Sequence, residues 1–142
     1  MSEAPSQLHR LALLQRTAEE RLALAATTPP RDLVRAWHRL QVSGGRVAIG
    51  ALAKELGCSR KHLTLRFRNE FGISPKLLAR FLRFDRAVRL IGAGRVAGLA
   101  DLAAASGYAD QAHLSREFRV FAGSAPTAFL RRRLPDEGGF MD

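Results

Sequence analysis

The sequence has few of the residues on which several common protein classes depend. Its single cysteine, Cys58, excludes a disulfide within the chain and favours a reducing cytoplasmic location. No apolar run approaches the roughly 18 residues of a membrane-spanning helix. The first residues also lack the charged start and apolar stretch of a signal peptide. We therefore expect a cytoplasmic protein that does not enter a membrane.

Acidic residues are scarce as well, and the positive charge is unevenly distributed. The chain has 13 Asp and Glu against 23 Lys and Arg, which gives a formal net charge of +10. Residues 46–133 contain 17 basic and six acidic residues, whereas the segment after Leu134 is acidic. Twenty of the basic residues are arginine, whose planar guanidinium makes two-point contacts with phosphate and guanine. This distribution indicates a polyanionic partner, with nucleic acid ahead of a membrane surface.

Leucine and alanine dominate the sequence while β-branched residues are few, and this composition favours an all-α fold. The spacing of apolar residues predicts an amphipathic helix over 7–26 and a second helix over 31–42. In the second helix, Leu33, Trp37 and Leu40 share one face. We therefore interpret Trp37 as a core residue rather than a platform for a ligand.

A short residue pattern occurs twice in the basic segment, once as GCSRKHLTLRFRNEFGISP and again as GYADQAHLSREFRVFAGSAP. The matched positions lie 50 or 51 residues apart: Leu52-Ala53 with Leu102-Ala103, Gly57 with Gly107, Leu63 with Leu114, Phe67 with Phe118, Gly72 with Gly123, and Pro75 with Pro126. Two copies are too few for a stacked-repeat protein. The pattern therefore indicates one small module present twice.

Each copy has the residue pattern of a helix-turn-helix. A short Ala-rich helix ends at Gly57 or Gly107, and a second helix follows with Ser59 or Asp110 as its N-cap. The apolar anchors of the second helix lie one turn apart and face inward, so the polar residues around them face solvent. Such a second helix is the one that enters a DNA major groove.

A further helix is predicted between the two copies, over 75–91, since it begins with Pro75 and contains no helix-breaking residue. Its arginines are expected on the outer face: Arg80, Arg83, Arg86 and Arg89.

Residues 46–130 resemble the DNA-binding domain of the AraC/XylS family of bacterial transcription regulators. The matching stretches are LAKELGCSRKHLTLRF, the intervening helix, and GYADQAHLSREFRVFAGSAPTAF. The resemblance implies an all-α fold with two helix-turn-helix subdomains joined by a long linker helix and preceded by an N-terminal amphipathic helix. It also implies that the two modules read successive major grooves, which explains why the anchors repeat while the exposed residues differ.

The resulting domain organisation has three parts. Residues 1–30 form an N-terminal helix, interpreted either as a possible remnant of a sensor domain or as the helix of a short family member that docks on the DNA-binding core or pairs with another chain. Residues 31–133 form the DNA-binding domain, with the first helix-turn-helix over 48–71, the linker helix over 75–91 and the second over 98–121. Residues 134–142 are expected to be a flexible acidic tail.

The resemblance also implies which residues contact DNA. Those expected to face the bases are Lys61, Thr64 and Leu65 in the first copy, with Gln111, His113 and Arg116 taking the matching places in the second. Gln pairs well with adenine and Arg with guanine, whereas an apolar residue such as Leu65 can contact a thymine methyl. Those expected to contact phosphate are Arg60, Arg66, Arg68, Arg119, Arg131, Arg132 and Arg133.

No arrangement of residues in the sequence indicates catalysis, a metal or a cofactor. The four histidines lack metal-ligand spacing, and the glycines near Gly92 follow a predicted helix rather than the strand that a dinucleotide-binding loop requires. The leading interpretation is a sequence-specific, non-enzymatic transcription regulator that binds double-stranded DNA as a monomer or weak dimer and contacts RNA polymerase. A small-molecule effector is expected only if a sensor domain is missing. The alternatives are a helical protein-interaction module and a sensor-less fragment that binds DNA without sequence preference.

Overall fold

The computed structural model describes residues 4–24 and 29–133, and within them it contains eight helices and no strand. The helices are α1 (Ala4–Leu24), α2 (Arg31–Val42), α3 (Ile49–Leu56), α4 (Arg60–Phe71), α5 (Pro75–Ala93), α6 (Leu99–Ser106), α7 (Gln111–Ala122) and α8 (Pro126–Arg133). The all-α prediction is therefore confirmed. The predicted acidic tail at 134–142 lies outside the described residues.

The chain forms two compact units, and the boundary between them falls within α5, after Leu82. One unit comprises residues 11–82 and contains α2, α3 and α4, while the other includes residues 83–133 and contains α6, α7 and α8. Each unit therefore holds one helix-turn-helix, and α5 is the long helix that joins them. This helix extends two residues beyond the predicted end at 91.

The core of the first unit is built around Trp37. Its indole lies 6.0 Å from the ring of Phe67 and 4.9 Å from that of Phe71, measured between ring centroids. Leu33, Leu40 and nine further residues of the same cluster are also buried. Trp37 itself is 4% exposed, which confirms its interpretation as a core residue.

Glycine is required where the chain leaves α2 and passes close to α5. Gly45 has a φ of +82°, in the left-handed region that favours glycine. A Cβ at this position would collide with the backbone carbonyl of Ala79. The turn after α2 can therefore pack directly on the backbone of α5.

The core of the second unit is a cluster of aromatic rings from α5, α7 and α8. Phe84 packs against Phe118 with ring centroids 4.8 Å apart, and Phe118 packs against Phe129 at 5.4 Å. Leu102 and Leu114 of the same unit are also fully buried. The repeated anchors therefore occupy the core in both modules, as the sequence pattern predicts.

One prediction for the linker helix is wrong. Arg83 was expected on the outer face of α5, but its Nε is buried and its guanidinium lies 6.0 Å from the ring centre of Tyr108. The nearby Arg86 Nε donates a hydrogen bond to the Ala105 carbonyl, in the last turn of α6, at 2.8 Å. Both side chains therefore bind α5 to the second helix-turn-helix, because their long apolar stems reach its surface.

Candidate nucleic-acid interface

The first helix-turn-helix is formed by α3 and α4. Helix α3 ends at Gly57, whose φ of 74° is left-handed, and the next amide, that of Cys58, donates to the Ala53 carbonyl at 3.0 Å. Ser59 then caps α4, since its hydroxyl accepts a hydrogen bond from the His62 backbone N–H at 3.0 Å. These local bonds fix the turn and the starting point of the second helix.

The second helix-turn-helix, formed by α6 and α7, repeats the same geometry. Gly107 ends α6 with a φ of 91°, and the Tyr108 amide donates to the Ala103 carbonyl at 2.9 Å. Asp110 caps α7 by accepting a hydrogen bond from the His113 backbone N–H at 2.8 Å. Both predicted N-caps are therefore confirmed.

The second helix of each helix-turn-helix, α4 or α7, is called its recognition helix. The N-caps of these two helices, Ser59 and Asp110, lie 51 residues apart and establish how the helices correspond. Leu65 and Arg116 are consequently equivalent positions. The expectation that Gln111 and His113 match Lys61 and Thr64 is wrong, because the equivalents of Gln111 and His113 are Arg60 and His62. Aligning the two N-caps in the sequence would have revealed this correspondence.

The outer face of α4 combines basic and apolar side chains. Lys61 and Arg68 are exposed, Thr64 is half-buried, and Leu65 is 57% exposed despite being apolar. Their neighbours Leu63 and Phe67 are fully buried on the opposite face. Such exposure of a large apolar side chain costs solvation free energy, which a contact with an apolar group of a ligand recovers.

Arg60 lies at the first position of α4 and rests on α3. An added Cβ at Gly50 would lie 2.9 Å from Arg60 Nε and 3.2 Å from its Nη2. Glycine at position 50 therefore leaves room for the guanidinium against the first turn of α3. Sequence analysis identified Arg60 but missed Gly50, since an isolated glycine in a helix gives no sign of which side chain it accommodates.

The outer face of α7 is polar. Gln111, Arg116 and Arg119 are exposed, whereas Leu114 and Phe118 are fully buried. Gln111 lies at the start of the helix and Arg116 follows after about one and a half turns, so both project from the N-terminal half of the helix. That half is the part of a recognition helix that meets base edges.

His113 contacts two residues of the turn that precedes α7. Its ring lies edge-on to Tyr108 with centroids 5.0 Å apart, and its Nδ1 accepts a hydrogen bond from the Ala109 backbone N–H at 3.2 Å. An imidazole that accepts through Nδ1 carries its hydrogen on Nε2 when neutral. The neutral ring of the half-buried His113 therefore has a single donor, Nε2–H.

Arg66, predicted to contact phosphate, forms an ion pair within the protein. Its two terminal nitrogens donate to the two carboxylate oxygens of Asp32, at 2.8 and 2.9 Å. The hydrogen bond from Arg66 lowers the pKa of Asp32 below its ordinary value of 3.8, against the opposing effect of burial. The same bond raises the pKa of Arg66. Sequence analysis missed Asp32, which is 34 residues away and belongs to no motif.

The remaining predicted phosphate contacts are in α8, which includes Arg131, Arg132 and Arg133, but their side chains lie outside the described part of the structure. Among the described residues, no group of three or more His, Cys, Asp or Glu could hold a metal ion. Within those residues, no helix has both the length and the apolar character needed to cross a membrane.

Comparison with known proteins agrees with this geometry. A family model described as "Helix-turn-helix domain" matches residues 52–132, which is more than half of the chain. No curated protein matches the sequence. Among solved structures, the chain is similar to the C-terminal domain of AraT, a response regulator from Geobacillus stearothermophilus, with a TM-score of 0.69 and 22% identity over 82% of this chain and 95% of that one. The two helix-turn-helix units, the family match and the shared fold together show that this chain belongs to the helix-turn-helix domain family of AraC/XylS type.

Proposed function

We propose that this protein is a sequence-specific transcription regulator that inserts α4 and α7 into successive major grooves of one DNA duplex. The observation that carries the proposal is the contrast between the two recognition helices. Leu63 and Phe67 match Leu114 and Phe118 in burial, whereas the exposed residues Leu65 and Arg116 differ completely in chemistry. Two modules with one scaffold and different outer faces are suited to reading two different short sequences.

In the first module, we assign base contacts to Lys61, Thr64 and Leu65. Lys61 can donate to guanine O6 or N7, and Leu65 can contact a thymine methyl. Thr64 is half-buried, so its hydroxyl can reach a base only if the helix approaches the groove floor closely. Arg60 and Arg68, which are exposed at the two ends of α4, are assigned to phosphates on either side of the groove.

In the second module, we assign base contacts to Gln111, His113 and Arg116. Gln111 is suited to adenine and Arg116 to guanine, each through two hydrogen bonds. His113 has only its Nε2–H to offer, because Nδ1 accepts from the Ala109 amide. Arg119 and the three arginines at 131–133 are assigned to phosphates.

Such a protein regulates transcription through the position at which it binds DNA. A protein bound at a promoter alters the access of RNA polymerase or recruits it, and we propose this role, as an activator in a bacterial cytoplasm, for the present chain. The two modules on one chain allow binding as a monomer. The exposed residues are assigned to DNA recognition, and we propose no catalytic step for them.

The salt dependence of DNA binding tests the interface. Neutralising Z phosphates releases counterions, so the logarithm of the association constant falls with the logarithm of salt concentration with a slope near −0.9Z. The six arginines assigned to phosphate, without Arg66, predict a slope of roughly −5 for a duplex. The measurement is a fluorescence-anisotropy titration between about 50 and about 300 mM salt, the range in which this effect is large. A slope near zero would contradict a phosphate-binding interface.

A further inference from the structure

An ion pair connects the first recognition helix to a helix outside the helix-turn-helix. Asp32 lies in the first turn of α2, where one of its oxygens also accepts from the Leu33 backbone N–H at 2.9 Å. Its carboxylate binds both terminal nitrogens of Arg66, in the middle of α4. A guanidinium held at two points on a carboxylate has little freedom to rotate. The pair therefore fixes α4 relative to α2 at the level of Leu65, its exposed neighbour.

The geometry distinguishes Arg66 from the other arginines of α4. Its side chain is 28% exposed and that of Asp32 is 34% exposed, whereas Arg60 and Arg68 are both exposed. A contact with a DNA phosphate would require Arg66 to leave a partly desolvated carboxylate without its charge partner, which is unfavourable. Arg66 is thus better suited to holding the helix than to contacting DNA.

The equivalent residue of the second module supports a structural role for the position of Arg66. Its equivalent of Arg66 is Glu117, which is 7% exposed and so also turned inward. At this position the two modules carry opposite charges, and neither residue is largely exposed, since Glu117 is buried and Arg66 is half-buried. The position therefore belongs to the scaffold of each recognition helix rather than to its outer face.

We propose that Asp32 and Arg66 are positioning residues for DNA recognition, which set the rotation of α4 and hence the base pairs that Lys61 and Leu65 meet. This inference rests on the proposed function. Recognition constellations must be held to within about 0.5 Å, so a loosened helix loses discrimination before it loses affinity. Helix α2 thereby becomes part of the first reading module, although it touches no base.

The test compares three variants that each remove one charge. Asp32→Asn and Arg66→Gln break the pair from either side. Glu55→Gln is the matched control, because it breaks the exposed Arg39–Glu55 pair between α2 and α3 (2.6 Å) and changes the net charge by the same amount as Asp32→Asn. For each variant, duplexes are selected from a randomised pool, and the salt slope of binding is measured on the wild-type preferred duplex.

We expect both Asp32→Asn and Arg66→Gln to lower the base preference in the block read by the first module by about tenfold, the scale of one good base contact. The block read by the second module, the salt slope and the Glu55→Gln variant should be unchanged. The proposal is overturned if Arg66→Gln reduces the steepness of the slope by about 0.9, the loss of one phosphate contact, while Asp32→Asn leaves the preference intact. It is equally overturned if both variants keep the full wild-type preference.

Hydrogen exchange separates this inference from the proposed function. Amides of α4 should exchange at least several-fold faster in Asp32→Asn than in wild type, while those of α7 keep their rates. If the wild-type protein selects no motif, sequence-specific binding is disproved, and the exchange rates still decide whether the pair holds α4. Unchanged α4 exchange in Asp32→Asn and Arg66→Gln would overturn the positioning role on its own.

Discussion

Leu65 and Arg116 occupy the same position on two recognition helices, each six residues after its N-cap, Ser59 and Asp110 respectively. The first is an apolar side chain that is 57% exposed, and the second is an exposed cation. A position that is apolar in one module and charged in the other cannot serve a common structural purpose at the surface. The difference is explained if each side chain faces its own base pair.

Substitution of Arg116 should reduce specificity more than general affinity. A two-point Arg–guanine contact provides roughly 1–3 kcal/mol of discrimination. Arg116→Ala is therefore expected to weaken binding to the preferred duplex by that amount and to relax preference at one base pair, measured by competition with single-base variants. The control is Arg119→Ala, also exposed on α7, which should weaken all duplexes equally and make the salt slope less steep by about 0.9. Indistinguishable behaviour of the two variants would refute the division into base and phosphate contacts.

Substitution of Leu65 should affect DNA binding without harming the fold. Because Leu65 is largely exposed, Leu65→Ala is expected to change the free energy of unfolding by less than about 0.5 kcal/mol and to reduce the preference for thymine at one position. Leu63→Ala, two residues earlier and fully buried, should instead cost about 2–5 kcal/mol of stability. Urea unfolding and duplex selection measure the two effects. A destabilised Leu65→Ala protein would place this side chain in the core rather than at the interface.

Substitution of Gly50 should weaken DNA binding without destabilising the fold. Alanine within a helix is more favourable than glycine by roughly 0.5–1 kcal/mol, but a Cβ at position 50 would displace the Arg60 guanidinium. We expect Gly50→Ala to weaken DNA binding several-fold while leaving the unfolding midpoint equal or higher. Gly92→Ala is the matched control, because a Cβ there meets nothing within 4 Å. If both variants bind DNA as wild type does, the contact of the Arg60 guanidinium with α3 has no role in DNA binding.

The Asp32–Arg66 pair should make part of the free energy of unfolding depend on pH in the acidic range. The folded-state pKa of Asp32 is lowered, so the stabilisation is complete above its ordinary value of 3.8 and is lost as the pH falls through the lowered folded-state pKa. At pH 7, the free energy of unfolding of Asp32→Asn should be about 1 kcal/mol lower than that of wild type, the upper end of the range for ion pairs that solvent still screens. The difference should shrink below pH 3.8, as measured by urea unfolding across the acidic range. A difference that grew on acidification would contradict the ion pair.

The sequence was sufficient to predict the parts of the structure that depend on local bonds. Ser59 and Asp110 are N-caps because a short polar side chain can reach the backbone amide three residues later, and this requires no tertiary information. The repeated anchors were likewise predictable, since Leu63 and Phe67 lie one turn apart on a helix. These features determine the two helix-turn-helix scaffolds and therefore most of the fold.

The features that escaped prediction all depend on contacts between helices. Asp32 and Arg66 are 34 residues apart, and only the packing of α2 on α4 brings them together. Arg83 was expected outside because helical spacing gives the direction of a side chain but not the neighbour that covers it. Gly50 is significant only through Arg60. The roles of these residues could not be predicted from the sequence, because each role depends on contact with a second residue that the sequence does not identify.

The most direct test of the account is the selection of bound duplexes from a randomised pool at about physiological salt, followed by sequencing. The two exposed faces predict an asymmetric motif with two short blocks whose centres lie about one helical turn, roughly 10 base pairs, apart. The block read by the second module should contain guanine at the position that Arg116→Ala relaxes. Binding that persists while no motif emerges would contradict sequence-specific recognition and leave a protein that binds DNA by charge alone.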